Sequence, residues 1–329
     1  MKRMDGQRVL LIAPRFFGYE RDIRAEIERR GATVDWLADR PYDTPAMTAL
    51  TRLRPGWVLP AADRLYARQL EELGQVDYDI VLVVNGQTVS ARTLARLRSA
   101  YPRARFVLYM WDSIANRAHV RKNLSFYDHV STFDPQDAEQ YGMQLRPLFC
   151  GRGFDAPAEP VPMQYHISFV GTAHTDRYAV IDRLRGTLPE DIHAYWYLYL
   201  QAPWVLQVSR WTRPGMRHAR MDDFQFKPLD KPTLHAVFAG SRAILDIEHP
   251  RQIGLTMRTF EALGAGKKLI TTNAQARNYD FFSDSNVCVI DRHAPVVPAA
   301  FLRTPFAPMP EAVRRRYTIE GWLDELLGL

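Results

Sequence analysis

The stretch 254–273, GLTMRTFEALGAGKKLITTN, constrains the fold more than any other part of the chain. An apolar run, AILDIE at 243–248, leads into a glycine turn. A short helical segment carrying Arg258 and Glu261 follows, then small residues, then a second apolar run at 268–272. Strand, helix and strand in so short a space make a βαβ unit, whose two strands must lie parallel. Both faces of a parallel sheet are buried, so helices must cover each side. The helix N-terminus, with Thr256 at its start, presents unpaired N–H groups and partial positive charge above the first strand. An anion suits that place, most simply a diphosphate. Arg258 and Glu261 are three apart and share a helix face. A guanidinium suits phosphate, and a carboxylate suits a pair of ribose hydroxyls. Met257, Phe260 and Gly264 fall on a different stripe, expected to face the sheet. The residues alone leave a second reading open, in which Arg258 and Glu261 form a surface ion pair.

The rest of the chain repeats the same alternation. Strands are expected at 8–13, 33–37, 79–84, 105–111, 128–132 and 145–150, and helices at 20–30, 90–100 and 135–141. A loop at 39–44 ends the second strand. Together these elements make a first Rossmann-like α/β domain over 1–152. The segment 151–162, GRGFDAPAEPVP, has three prolines, two glycines and no periodicity, and reads as the linker. A second α/β domain spans 163–305, with strands at 166–170 and 194–200 and a helix at 233–240. In the final segment, 306–329, the tail from residue 310 is helical and places Trp322, Leu323, Leu326 and Leu327 on one side. A length of 329 residues suits two domains, and 47% hydrophobic content fills two cores.

Several chemistries lack their residues. PRFFGYE, after the first strand, has one glycine where a dinucleotide fingerprint needs three. The GAGK at 264–267 ends a helix instead of opening one, so it is no P-loop. Neither H-E-x-x-H nor C-x-x-C occurs, and no metal is expected. A G-x-S-x-G nucleophile elbow is also missing. Cys150 and Cys288, the only two cysteines, lie in apolar runs; a reduced, cytosolic protein is expected. The N-terminal apolar run is too short for a signal peptide or membrane span. A net charge of +6 identifies no partner by itself, and nucleic acid is not expected.

Three strand ends converge on the rim of the first domain, where ligands of parallel sheets bind. Asp112 leaves the fourth strand, Asn85 and Gln87 the third, and Glu20 follows the first. Asp112, between Trp111 and Ser113, is expected to be desolvated and raised in pKa, a usable general base. Capping of the next helix is the other reading for Asp112, and first-turn support of the macrodipole the other for Glu20. In the second domain, FVGTAHTDRY brings backbone close to a ligand at Gly171 and places Arg177 near a helix start. His174 is either a solvated loop residue or part of that site. Lys227, in FKPL, is either exposed or a further cation on the diphosphate. Segment 195–220, rich in aromatics and then arginines, is either a strand with an exposed helix or a contact with a membrane interface.

These motifs carry a resemblance. Arg258, Phe260, Glu261, Ala262, Leu263, Gly266 and Thr271 stand in the places of an R-x-F-E-a-l-a-x-G-k-x-l-i-T pattern. FVGTAHTDRY, FKPL, FFGYE, YMWDS and TFDPQDAEQYG extend the match over nearly the whole chain. The sequence resembles the GT-B glycosyltransferases, in particular the CgeB-like branch of the glycosyl transferases group 1 seen in bacterial capsule and lipopolysaccharide clusters. That resemblance implies two Rossmann-like domains with a cleft between them and a last helix crossing back to the first. It implies an acceptor, a glycan or lipid-linked, in the first domain beside Asp112, Glu20, Asn85 and Gln87. A nucleotide diphosphate sugar is implied as substrate in the second, at Gly171, His174, Arg177, Lys227, Thr256, Arg258 and Glu261. It further implies no cofactor or metal; the expected place is the cytoplasm, with peripheral contact on the inner face of the bacterial membrane if the second reading of 195–220 holds. One departure stands out: many retaining members carry a glutamate eight positions before Glu261, and here that position is Ile253. Glu248, or the loop with His249 and Gln252, would have to replace it. A nucleotide-sugar epimerase and a non-catalytic carbohydrate-binding relative are the alternatives.

Overall fold

The computed structural model describes residues 2–39, 55–154 and 161–329. The expected loop at 39–44, past its first residue, and half of the expected linker lie outside them. The described chain separates into two compact units. One comprises Met1–Leu148 with Ile319–Leu329, and the other Phe149–Thr318.

The first unit is a six-stranded, wholly parallel sheet. Its strands are β1 (Arg8–Ala13), β2 (Thr33–Ala38), β3 (Ile80–Val84), β4 (Arg105–Met110), β5 (His129–Thr132) and β6 (Gln144–Leu145), in the order β2-β1-β3-β4-β5-β6. Its helices are α1 (Tyr19–Arg29), α2 (Pro55–Leu73), α3 (Ala91–Ala100) and α4 (Pro135–Tyr141). Unbroken apolar runs such as IVLVV in β3 are buried at every position, as a sheet covered on both faces demands. The expected strand at 145–150 shrinks to two residues. Pro147 has no N–H for a ladder, and Cys150 instead forms an isolated bridge with Thr318. Helix α2 lies beyond what the sequence pattern reveals, because Pro55, Gly56 and Pro60 look like breakers.

The tail returns to this unit. Helix α11 (Ile319–Leu327) buries Ile319, Trp322, Leu323, Leu326 and Leu327. The Trp322 ring stands edge-on to Tyr109 of β4 at 4.9 Å. Arg30, fully buried, donates to Asp324 at 2.5 Å and to the Glu320 carbonyl at 2.8 Å. Only this last helix joins the first unit; α10 (Glu311–Arg316) stays with the second.

The second unit is also a six-stranded parallel sheet, in the order β12-β11-β10-β7-β8-β9. Its strands are β7 (Tyr165–Thr172), β8 (Ala194–Tyr199), β9 (Phe224–Gln225), β10 (Ser241–Asp246), β11 (Lys268–Thr271) and β12 (Val287–Val289). They alternate with α5 (Arg177–Arg185), α6 (Pro203–Thr212), α7 (Lys231–Ala239), α8 (Met257–Gly264) and α9 (Ala299–Arg303). The amphipathic reading of α8 needs correction. Met257 and Gly264 are half-buried, whereas Thr259, Phe260, Glu261, Ala262 and Leu263 are all buried. Thr259 faces β10, and Phe260 packs on Tyr317 at 5.1 Å, so the helix is covered on two sides. Gly264 also presses on Cys150, since a Cβ there would lie 2.3 Å from its Sγ. Both cysteines are free thiols.

Candidate functional site

In each sheet the chain first builds outward from one strand, then returns to that strand's other side. The reversal falls between β1 and β3 in the first unit and between β7 and β10 in the second. At such a point the connections leave in opposite directions and open a crevice at the carboxyl ends of the strands.

In the second unit that crevice receives an arginine from each side. Arg177 opens α5 and donates Nε to the Ile247 carbonyl at 2.7 Å and Nη1 to the Thr172 carbonyl at 3.2 Å. It therefore ties the ends of β7 and β10 together. Gly171 is what lets it reach, because a Cβ there would sit 2.9 Å from Phe169 and 3.3 Å from Arg177 Nη1. From the first turn of α8, Arg258 donates to Glu261 at 2.9 Å and lies over the Phe238 ring at 4.8 Å. Arg258 and Glu261 do form an ion pair, but Glu261 is 2% exposed, so it is no surface pair.

Buried carboxylates support these cations from below. Asp246, at the end of β10, accepts from Thr256 at 2.7 Å and Thr259 at 2.8 Å. The Thr256 hydroxyl also accepts the Arg258 N–H at 3.1 Å, capping α8. Glu248 is buried and accepts from Thr272 and Arg292. Burial pushes its pKa up, against the pull of Thr272 and Arg292. Arg292 also grips Asp176, the residue before α5, at 2.8 and 3.0 Å.

Charge is unevenly spread around this crevice. Burial lowers the pKa of Arg177; Asp246 and Glu248 oppose that, and Arg258 and Arg292 add to it. His174, on the loop between β7 and α5, is lowered to about 4, first by burial and then by Arg177, His249 and Arg213. Burial is the larger cause, but the share that Arg177 and Arg213 add shows that positive charge gathers beside this imidazole, where an anion is favoured. His249 is exposed with its ring 6.3 Å from His174, and Gln252 donates to the Gly254 carbonyl at 2.9 Å. Lys227 does not join the group. It is exposed beyond the edge strand β9, and its carbonyl accepts from Tyr197 at 2.7 Å.

In the first unit the crevice holds Glu20, Asn85 and Gln87. Glu20 is buried and accepts the Phe16 N–H at 3.1 Å, folding the loop after β1 onto α1. Asn85 and Gly86 both take left-handed backbone, with φ 71 and 63. Asp39 fixes the turn after them by accepting the Gln87 and Thr88 N–H groups at 2.7 and 2.9 Å. Asn85 Oδ1 and Gln87 Oε1 are buried with no hydrogen-bond partner among the described residues. The expectation for Asp112 is corrected: it is not desolvated. Its side chain is 27% exposed and paired with Arg117 at 2.7 Å, and it accepts from Ser113 N–H and Asn116 at 3.0 and 2.8 Å. The carboxyl raised by burial in this neighbourhood is Asp137, with Asp134 and Asp112 adding to the shift and the Ile114 N–H opposing it. Phe16, 42% exposed, lies 5.8 Å from the Trp111 ring and forms an aromatic rim.

No known protein family and no curated protein sequence matches the chain. Solved structures do. HepE of Anabaena, determined in complex with UDP and glucose, aligns with a TM-score of 0.60 at 12% identity, over 98% of this chain and 99% of its own. The catalytic domain of starch synthase IV from Arabidopsis thaliana, bound to ADP and acarbose, aligns at 0.52 and 10% identity, over 99% and 96%. The fold is GT-B. With two parallel six-stranded sheets and a terminal helix on the first unit, the chain carries the GT-B architecture throughout.

Within this GT-B chain, sequence reasoning missed Arg292, Asp176, Asp246, Thr259 and Thr272 in the second unit, and Asp39, Arg117 and His119 in the first. Asp246 had a local signal: a lone aspartate inside an apolar strand needs hydroxyl partners nearby. Arg292 had none, since it lies 44 positions from Glu248. His119 donates from Nε2 to the Gln87 carbonyl at 2.7 Å, which again only the fold brings together. Among the described residues no three His, Cys, Asp or Glu side chains gather as metal ligands.

Proposed function

We propose that this chain is a metal-independent glycosyltransferase of the CgeB-like group 1 type, working in the cytoplasm on a bacterial surface glycan, of capsule or lipopolysaccharide kind, or on its lipid-linked precursor. A nucleoside diphosphate sugar is the donor. One observation carries the reading: Arg177 and Arg258 approach each other at the switch point between β7 and β10, at the starts of two helices. Both solved relatives named above hold a nucleoside diphosphate together with a sugar, which supports the same ligand class here.

In this reading the bond between the anomeric carbon and the β-phosphate oxygen breaks, and the electrons stay on the diphosphate. Arg177, Arg258 and the first-turn N–H groups of α8 stabilise that developing charge. Glu261 shares its carboxylate between Arg258 and the ribose hydroxyls, while His249 and Gln252 border the sugar. An acceptor hydroxyl attacks the anomeric carbon and gives its proton to a carboxylate of the first unit, Asp112 or Glu20. Asp112 must first exchange its pairing with Arg117. Buried amide oxygens without partners, such as those of Asn85 and Gln87, cost about 1–3 kcal/mol each, and acceptor hydroxyls would satisfy them.

A second reading has its own observation: Asp112 and Glu248 are both held by arginines, and Ile253 stands where a glutamate is common in relatives. A carbohydrate-binding relative without turnover fits that as well. Incubating the protein with a panel of nucleotide sugars separates the readings. Release of nucleoside diphosphate that depends on added glycan acceptor supports transfer. A changed sugar without any acceptor, seen by NMR, identifies an epimerase, and tight binding with neither outcome identifies a binding protein.

A further inference from the structure

Helix α6 and the turn behind it, 203–220, are not used by the proposed chemistry. Three large apolar side chains on α6 face solvent: Trp204 is 67% exposed, Val208 51% and Trp211 89%. They stand at i, i+4 and i+7, one stripe of a helix. The opposite side anchors the helix through buried Leu206 and Ser209. Scattered apolar residues on a surface are ordinary, but two exposed tryptophans aligned on one stripe are not.

The surrounding charge has one sign. Between residues 203 and 220 the chain has four arginines, one histidine and no carboxylate. Arg217, His218 and Arg220 are exposed. Arg210 donates to the Ala219 carbonyl at 3.0 and 2.5 Å, so helix and turn form one piece. Of the next carboxylates, Asp223 is drawn inward by Arg185 and Tyr178. Exposed Asp222 lies 3.7 Å from Arg220 and offsets part of its charge, which leaves the surface net positive through Arg217.

From this we infer that 203–220 is a docking surface for an anionic lipid bilayer, with α6 lying in the interface plane. Tryptophan favours the headgroup region, where its ring is apolar and its N–H stays wet. The flanking arginines then meet lipid phosphates. A second copy of the chain fits less well, because pairing this surface with itself would oppose Arg217 and Arg220 to each other. The helix has ten residues, far too few to span a membrane, and among the described residues no helix is long and apolar enough to do so. Arg213 donates to the Ala173 carbonyl at 3.3 Å, which fastens the docking surface to the loop carrying His174. The inference stands apart from the catalytic reading, since it concerns binding alone.

The test is co-sedimentation of the full chain with vesicles rich in phosphatidylglycerol and with vesicles of pure phosphatidylcholine. The chain is expected to pellet with the former, less so as salt is raised. The double variant Trp204→Ser/Trp211→Ser should lower vesicle affinity by about tenfold or more while its thermal midpoint stays within a few degrees of wild type. Arg217→Gln/Arg220→Gln should remove the preference for anionic vesicles. Equal pelleting of wild type and the tryptophan variant overturns the proposal, as does no pelleting at all. So does a fall in solution mass from dimer to monomer in the tryptophan variant, which would assign the stripe to self-association.

Discussion

Arg292 Nη1 lies 2.8 Å from the Asp176 carboxylate, while its Nη2 bonds Glu248. One guanidinium thereby joins the residue preceding α5 to the segment just past β10. Burial opposes its charge, but the two carboxylates hold Arg292 above the ordinary arginine pKa. Removing it leaves Glu248 buried and without its cation. Arg292→Ala should therefore cost about 3–5 kcal/mol of stability in urea unfolding. Adding Glu248→Gln should recover part of that loss, because the uncompensated charge is gone. Additive losses would show that the two residues do not act as a pair.

His174 gives a pH signature. Its pKa in the folded chain is about 4, below the 6.5 of an unfolded histidine. Between those values the unfolded chain binds a proton that the folded chain does not. Stability from this group is therefore complete above about pH 6.5 and lost as pH falls toward 4. His174→Gln should flatten that part of the profile. A bound diphosphate should pull the His174 pKa upward, so binding near pH 5 should take up protons, visible as a dependence of calorimetric heat on buffer ionisation. Heats that do not depend on the buffer would place the anion away from His174.

Much of this architecture could be read from the chain. Unbroken runs such as RVLLIA and IVLVV announce parallel strands because burial on both faces leaves no alternation. The returning helix was legible from Trp322, Leu323, Leu326 and Leu327, and those four are buried. The site was legible only in part. Arg258 and Glu261 share a helix, so spacing alone joins them. The grip of Arg292 and the hold of Asp39 on the Gln87 turn join residues distant in sequence. Asp112 shows a different limit: a strand-end carboxylate reads as desolvated until the fold supplies Arg117.

Gly171 should prove intolerant of a side chain. In Gly171→Ala the new Cβ would press on Phe169 at 2.9 Å and on Arg177 Nη1 at 3.3 Å. We expect weaker nucleotide binding together with a loss of stability, because both the buried Phe169 ring and the Arg177 guanidinium must shift. Wild-type affinity in the alanine variant would remove Arg177 from the phosphate site.

Asp112→Asn tests the base assignment. Asparagine can keep the Ser113 N–H bond, so stability should change by no more than about 1 kcal/mol. If Asp112 accepts the acceptor proton once Arg117 lets go, turnover should fall by about two to four orders of magnitude with donor binding intact. Normal turnover would pass the role to Glu20 or to the leaving phosphate itself.

The central claim is that the crevice between β7 and β10 holds a nucleoside diphosphate on Arg177 and Arg258. Calorimetric titration of UDP, GDP, CDP, ADP and TDP, each beside its bare nucleoside, tests it most directly in wild type and in Arg258→Ala. The account predicts that at least one diphosphate binds, that the variant weakens it by about 1.5–3 kcal/mol, and that the matching nucleoside loses far less. Failure of every diphosphate to bind, or equal losses for diphosphate and nucleoside, would contradict it.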